Sequence, residues 1–259
     1  MTSNKADSKH GRFQGPFAEL LKIEGKLALR EPTGLAMGIG FPVILLVIFG
    51  IIGTVVPGNV AGTGLTILDI YVPIIMVTGF ISLGVSSLPG TLVRYRETGW
   101  LRRISTTPTP PSRLLAAQLT LNLIIALVTI LIIIFGSEIV FGTALQVSIP
   151  YFVLSIVLSI AVLFSLGLVV AALAPSQTVA SWLSGGLFFA LLLLSGLWIP
   201  PSIVGDPLAT IMYYSPSGAP VRALLYSAFN SAPPLTAIVT MLVYAPIFTI
   251  IAIRCFRWE

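Results

Sequence analysis

Long apolar runs alternate with short polar islands along this chain. The runs cover about residues 35–56, 68–90, 114–135, 150–174, 178–198 and 235–254. Each approaches the ~20 residues a helix needs to cross a ~30 Å hydrocarbon core. LIIALVTILIIIF (Leu123–Phe135) and FFALLLLSGLW (Phe188–Trp198) are apolar on every side. Strands of a membrane barrel would alternate polar and apolar positions instead. The pattern therefore predicts an all-α membrane protein with six transmembrane helices. Isolated Gly and Pro inside the runs are tolerated in such helices. Ala174–Thr178 (APSQT) is so short that a tight turn must join the fourth and fifth spans.

Composition sharpens this reading. Of 259 residues, 56% are hydrophobic and 9% charged, where a soluble domain carries roughly a quarter charged residues. Every Lys and Arg except Arg222 falls at the N-terminus, between spans two and three, or at the C-terminus. The loops on the other side hold Asp69, Glu138, Asp206 and Arg222. By the positive-inside rule, both termini are expected in the cytoplasm of a multi-pass protein of the cytoplasmic membrane. The formal charge of +5 reflects this bias, not affinity for nucleic acid. Trp182 and Trp198 sit at opposite ends of span five, ~24 Å apart along a helix, and match the two interfacial aromatic belts. Tyr71 and Tyr95 flank span two in the same way. The one cysteine, Cys255, forms no internal disulfide, and the one histidine, His10, lies in a polar tail. No cleavable signal peptide is expected, because the first apolar run starts late and is too long.

Residues 1–15 read as a disordered cytoplasmic tail, and 16–259 as a single transmembrane domain without internal repeats. In PFAELLKIEGKLALRE (16–31), Phe17, Leu20, Leu21, Leu27 and Ala28 recur at helical spacing, with Glu19, Lys22, Lys26 and Arg30 around them. This predicts an amphipathic helix in the cytoplasmic interface, interrupted by Glu24 and ended by Pro32. The plainer reading is a cytosolic extension of span one. The island Arg94–Arg113 (RYRETGWLRRISTTPTPPSR) continues span two out of the membrane, makes a short helix and returns through prolines. Positive-inside bias explains its arginines, but not the Trp100, Leu101 and Ile104 cluster among them, which calls for a lipid or protein partner. Between spans five and six, LATIMYY (Leu208–Tyr214) and VRALLYSAF (Val221–Phe229) are too short to span and suit helices that dip partway into the outer leaflet.

The chemistry is as notable for what it lacks. The sequence contains no G-x-x-x-x-G-K-[ST], so this chain brings no phosphate-binding loop. No ionisable side chain falls near the middle of a span, which speaks against an ion-coupled carrier. No catalytic residues, metal ligands or bound cofactors are expected. The spans do carry small, mildly polar residues: Thr78, Ser82 and Ser86 with Gly79 in span two, and Ser181, Ser184, Gly185 and Ser195 in span five. Gly34 and Gly38 make a small-xxx-small pair in span one. Such stripes let helices approach closely, either for packing within the bundle or to face a symmetry mate along a weakly polar path. Pro200 and Pro201 mark a sharp helix end, with an outer lid as the functional addition.

Three segments carry a family resemblance: RETGWLRRISTTPTPPSRLLAAQL (Arg96–Leu119), LLLLSGLWIPPS (Leu191–Ser202) and YYSPSGAPVRALLYSAF (Tyr213–Phe229). With six spans and a preceding basic amphipathic helix, they resemble the ABC-2 family of bacterial ABC exporter permeases, and within it the daunorubicin-resistance-type drug-efflux branch. The resemblance implies two paired permease subunits, each docked on a separate cytoplasmic ATPase subunit that holds ATP and Mg. It implies a coupling helix around Arg94, Arg96, Glu97, Trp100, Leu101, Arg103 and Ile104. It implies an interface helix carrying Phe17, Leu20, Leu21, Lys22 and Lys26. The path or dimer interface would be lined by Thr78, Ser82, Ser86, Ser181, Ser184, Phe188, Ser195 and Trp198. A re-entrant pair would close the outside near Pro200, Pro201, Tyr213 and Tyr214. The expected activity is export of amphipathic small molecules by alternating access. Lipid-linked polysaccharide exporters share the architecture, and aromatics on span five (Trp182, Phe188, Phe189, Trp198) also suit sugars. A passive channel or scaffold, and a lipid-headgroup enzyme using Asp69, Glu138 and Asp206, complete the alternatives.

Overall fold

The computed structural model describes residues 16–30, 33–56, 65–99, 111–143 and 145–255. Regular structure among them is helical: α1 (Pro16–Arg30), α2 (Ala36–Val55), α3 (Ile67–Glu97), α4 (Pro111–Phe141), α5 (Ile149–Leu173), α6 (Gln177–Leu194), α7 (Asp206–Tyr214), α8 (Gly218–Ala228) and α9 (Leu235–Cys255). Six of these, α2, α3, α4, α5, α6 and α9, are long and apolar enough to cross a membrane. They coincide with the six runs predicted from the sequence, apart from a few residues at the ends. The tail 1–15 and the segment 100–110, with Trp100, Leu101, Arg103 and Ile104, lie outside the described residues.

Two helices widen by a π turn, at Ala36–Gly40 in α2 and at Ser82–Ser87 in α3. Each turn ends two residues before a proline, Pro42 and Pro89. Proline removes one N–H and crowds the carbonyl four residues back, and a local π adjustment relieves both. Asp69, a span-end charge by sequence, serves a structural purpose at the start of α3. Thr66 Oγ1 accepts from the Asp69 N–H at 3.2 Å, and Asp69 Oδ2 accepts from the Thr66 N–H at 2.9 Å. This is a capping box. At the same end of the bundle α6 stops at Leu194, short of Trp198, because Gly196 takes φ +85°. That left-handed conformation is the ordinary glycine stop of a helix.

α3 is the buried centre. Phe80, Ile75, Met76, Ile81, Leu83 and Leu88 on it are fully buried against α2, α4, α5, α6 and α8. Its contact with α5 is backbone to backbone. A Cβ on Gly84 would fall 2.6 Å from the Leu163 carbonyl oxygen, and a Cβ on Gly167 would fall onto the Gly84 carbonyl. α9 packs along α5, and α8 fills the space between α5, α9 and α3. α2, α4, α6 and α9 turn rows of Ile, Leu, Val and Phe outward, among them Ile44, Leu131, Phe189 and Ile250. In a membrane such rows face lipid or another helix without cost.

Candidate functional site

Most charged residues of the described chain gather at one end of the bundle, here termed the basic end, with Asp69, Glu138, Asp206 and Arg222 as the exceptions. α1 lies there against the first turns of α4. Leu20 and Leu21 are half-buried, Lys22 and Lys26 are exposed, and the side chain of Phe17 lies outside the description. The stripe read from the sequence is only partly covered: Leu20, Leu21 and Ala28 are half-buried and Leu27 is exposed. The most buried described side chain on this face is instead Glu24, at 3% exposure. The residue that interrupts the stripe is the one that anchors the helix.

Glu24 is held from two other helices. Tyr95 Oη, near the end of α3, lies 2.7 Å from one carboxylate oxygen and 2.9 Å from the other. Gln118 Nε2, from α4, donates to the same carboxylate and lies 3.3 Å from Tyr95 Oη. Burial pushes the Glu24 carboxyl above the ordinary carboxylate range, while the hydrogen bonds from Tyr95 and Gln118 and the charge of Arg94 draw it partly back. Three helices thus meet in one buried polar knot. Such a knot is rigid when every member is satisfied.

The end of α3 is tied to a fourth element. Arg96 donates to the Ala174 carbonyl, and the Glu97 carboxylate accepts from the Gln177 N–H at 2.9 Å. Both partners belong to the tight turn between α5 and α6. Glu97 therefore caps α6 from outside, beside Ser176, whose Oγ accepts from the Val179 N–H at 3.3 Å. Three of the predicted coupling residues, Arg94, Arg96 and Glu97, thus lie where α1, α3, α4 and the α5–α6 turn converge. The chain leaves this junction directly into residues 100–110.

The small polar stripes distribute differently from one another. Thr78 and Ser82 have no exposed surface, and their hydroxyls donate to the carbonyls of Ile74 and Thr78, each at 2.9 Å. Ser86 is half-buried near the basic end. On α6, Ser184 and Phe188 are buried, Ser181 is exposed, and Trp182 and Phe189 stand out at 78% and 67% exposure. Ser195 is buried and Trp198 exposed. Gly38 sits under Leu83 of the α3 π turn, and its carbonyl accepts from Thr129 Oγ1 at 3.1 Å. The Gly34–Gly38 pair therefore serves packing within the subunit.

At the far end, Pro201 begins a single 3-10 turn, Pro201–Ile203, ahead of the α7–α8 hairpin. Ser217 Oγ donates to the Leu191 carbonyl at 2.8 Å and fastens the hairpin to α6. A Cβ on Gly218 would run into the Met212 carbonyl, so only glycine fits this corner. The Arg222 guanidinium lies 4.6 Å from the centre of the Tyr213 ring. Tyr244 Oη on α9 donates to the Tyr214 carbonyl at 3.0 Å. The predicted outer residues thus lie on or beside a short helical hairpin whose second helix, α8, is mostly buried and whose first, α7, buries Ala209 and Met212.

The knot and the Glu97 cap of α6 carried no local sequence signal, because their partners lie far apart along the chain. No curated protein matches the chain. A model of the family described as ABC-2 type transporter matches residues 17–229, from the second residue of α1 through the end of α8. That stretch covers most of the chain and contains five of the six candidate spans, the basic-end knot and the hairpin. The protein belongs to the ABC-2 type transporter family and is a multi-pass membrane permease domain of an ABC transporter.

Proposed function

We propose that this chain is the membrane subunit of an ATP-driven exporter that moves amphipathic small molecules outward across a bacterial cytoplasmic membrane. The observation that carries the reading is the junction at the basic end. The Glu24 knot and the Arg96 and Glu97 ties join α1, α3, α4 and the α5–α6 turn at the root of segment 94–104. A displacement of that segment is passed to all four elements together. The basic end is cytoplasmic, both termini lie on that side, and Trp100, Leu101, Arg103 and Ile104 dock on a separate ATPase subunit that holds ATP and Mg.

In this reading α1 is the interface helix. ATP binding draws two docked ATPase subunits together, the junction moves as a lever, and the paired permeases change which side of their path is open. Only a difference in contacts between the two states can bias such an equilibrium. Docking at the junction supplies that difference. The exposed face of α6, with Ser181, Trp182 and Phe189, meets the second permease and the path, as does Trp198 just beyond its end. The buried Thr78, Ser82, Ser184 and Phe188 set its shape from behind. The α7–α8 hairpin, with Pro200, Pro201, Tyr213 and Tyr214, is re-entrant and closes the outer mouth. The resemblance of the SGLWIPP segment favours the daunorubicin-resistance-type branch and a drug-like or lipid-like cargo.

The reading is tested by purifying the tagged chain from native membranes in mild detergent and assaying the eluate for ATP hydrolysis. A co-purifying nucleotide-binding subunit whose yield and activity fall with Trp100→Ala is the expected result. A chain that elutes alone, without ATPase activity, overturns the reading in favour of a passive channel. A second reading, export of a lipid-linked polysaccharide, draws on the exposed ring faces of Trp182, Phe189 and Trp198. It predicts ATPase stimulation by a glycolipid rather than by an amphipathic amine.

A further inference from the structure

We propose that the cavity between α1, α2, α3 and α4 at the basic end binds an ammonium group carried on an apolar body, held by the Glu24 carboxylate and the Asn122 side-chain carbonyl. The cavity measures about 240 Å³, and Glu24, Asn122, Arg94, Leu27, Met37 and Ile125 are among its lining residues. Asn122 is 3% exposed and its Oδ1 has no hydrogen-bond partner, although its Nδ2 donates to the Gln118 carbonyl at 2.9 Å. Buried carbonyl oxygens rarely stand without a partner in folded proteins. The hydroxyl of Tyr95 and the amide of Gln118 are already spent on Glu24. Arg94, Ser86, Ser87 and Gln177 also line the cavity, but the one buried polar atom of its described lining without a partner is the Asn122 acceptor, and that atom takes a donor.

A carboxylate beside the open acceptor selects a donor with positive charge. An anion drawn to Arg94 would meet both Glu24 and the Asn122 oxygen, which repel it. A bare inorganic cation gains nothing from Leu27, Met37 and Ile125. An amine with an apolar body uses all of them. The volume falls below the roughly 300–1,000 Å³ of pockets that enclose a whole drug-sized ligand. The cavity holds a headgroup, and the body continues past Leu27 and Met37, which are 36% and 37% exposed. This inference rests on the exporter reading and names its cargo chemistry. Two sources carry that chemistry: a free amphipathic amine, and the headgroup of an aminophospholipid.

The test uses the purified full chain in phosphatidylcholine nanodiscs and a dansylated primary alkylamine followed by fluorescence, with its N-acetylated counterpart as the uncharged control. The amine binds saturably, and acetylation weakens it by about tenfold or more, as expected for losing a charge-assisted hydrogen bond. Asn122→Leu weakens the amine about tenfold, and Asn122→Asp, which supplies a second carboxylate, tightens it. Nanodiscs containing phosphatidylethanolamine separate the sources. Competition assigns the site to the lipid ammonium, and unchanged affinity assigns it to the free amine. Equal binding of amine and acetylated control, or affinity unmoved by both Asn122 variants, overturns the site. The assay contains neither ATP nor a partner. Absent amine binding with intact ATP-driven transport sinks this site alone, whereas intact binding without transport sinks the exporter reading alone.

Discussion

The Tyr95 hydroxyl sits 2.7 Å from one oxygen of the Glu24 carboxylate and 2.9 Å from the other. This contact joins the interface helix α1 to the end of α3, and Gln118 brings in α4. Tyr95→Phe removes a donor and leaves a buried carboxylate with one partner fewer. The expected loss is about 1–3 kcal/mol. Glu24→Ala should cost more than Glu24→Gln, which keeps an acceptor for Tyr95. Thermal unfolding of the purified variants in one detergent measures the series.

Glu24 also makes stability depend on pH. Its folded value lies above the ordinary 4.5, chiefly through burial. The folded chain therefore binds the proton more tightly than the unfolded chain does. The group's contribution favours the fold fully below 4.5 and is lost as pH rises through the folded value. The melting temperature of the native chain should fall across that window, and Glu24→Gln should flatten this part of the profile. A slope that is unchanged in Glu24→Gln assigns the dependence to another group.

The α3–α5 crossing should tolerate no side chain. Gly167→Ala drives a Cβ into the Gly84 carbonyl, and overpacking of this kind costs at least about 1–3 kcal/mol. Because the obstacle is backbone, not a flexible side-chain tip, the loss should lie at or beyond the top of that range. Gly185→Ala and Gly186→Ala on α6, where an added Cβ meets nothing within 4 Å, are the controls and should express normally. The yield of monodisperse protein after size exclusion reads the contrast.

Glu97→Ala removes the acceptor of the Gln177 N–H, an exposed cap worth about 1 kcal/mol or less. Its effect on folding should be small. Under the exporter reading its effect on transport should be large, because the α5–α6 turn loses its tie to the coupling segment. ATP hydrolysis by the assembled complex should persist while transport per ATP falls. Equal falls in both would mark a docking defect instead.

Much of this architecture was legible because a membrane helix is specified locally. An apolar run of the right length is sufficient, and the six runs became α2, α3, α4, α5, α6 and α9. The α7–α8 hairpin was legible for the same reason, as two apolar pieces too short to span. The junction was not. Glu24 reads as a flaw in an amphipathic stripe until Tyr95 and Gln118, 71 and 94 residues away, are brought against it. Thr78 and Ser82 show why periodicity alone cannot separate an interface from an interior. A hydroxyl that bonds its own helix is equally at home in either. The Gly84–Gly167 crossing depends on a pairing of two helices that no single segment encodes.

The most direct test of the exporter account is uptake of the dansylated alkylamine into inverted membrane vesicles that contain the chain with its native partners. Accumulation against a gradient should require hydrolysable ATP and fall to background with Trp100→Ala. Equilibration that proceeds equally without ATP, and is untouched by Trp100→Ala, would contradict the account.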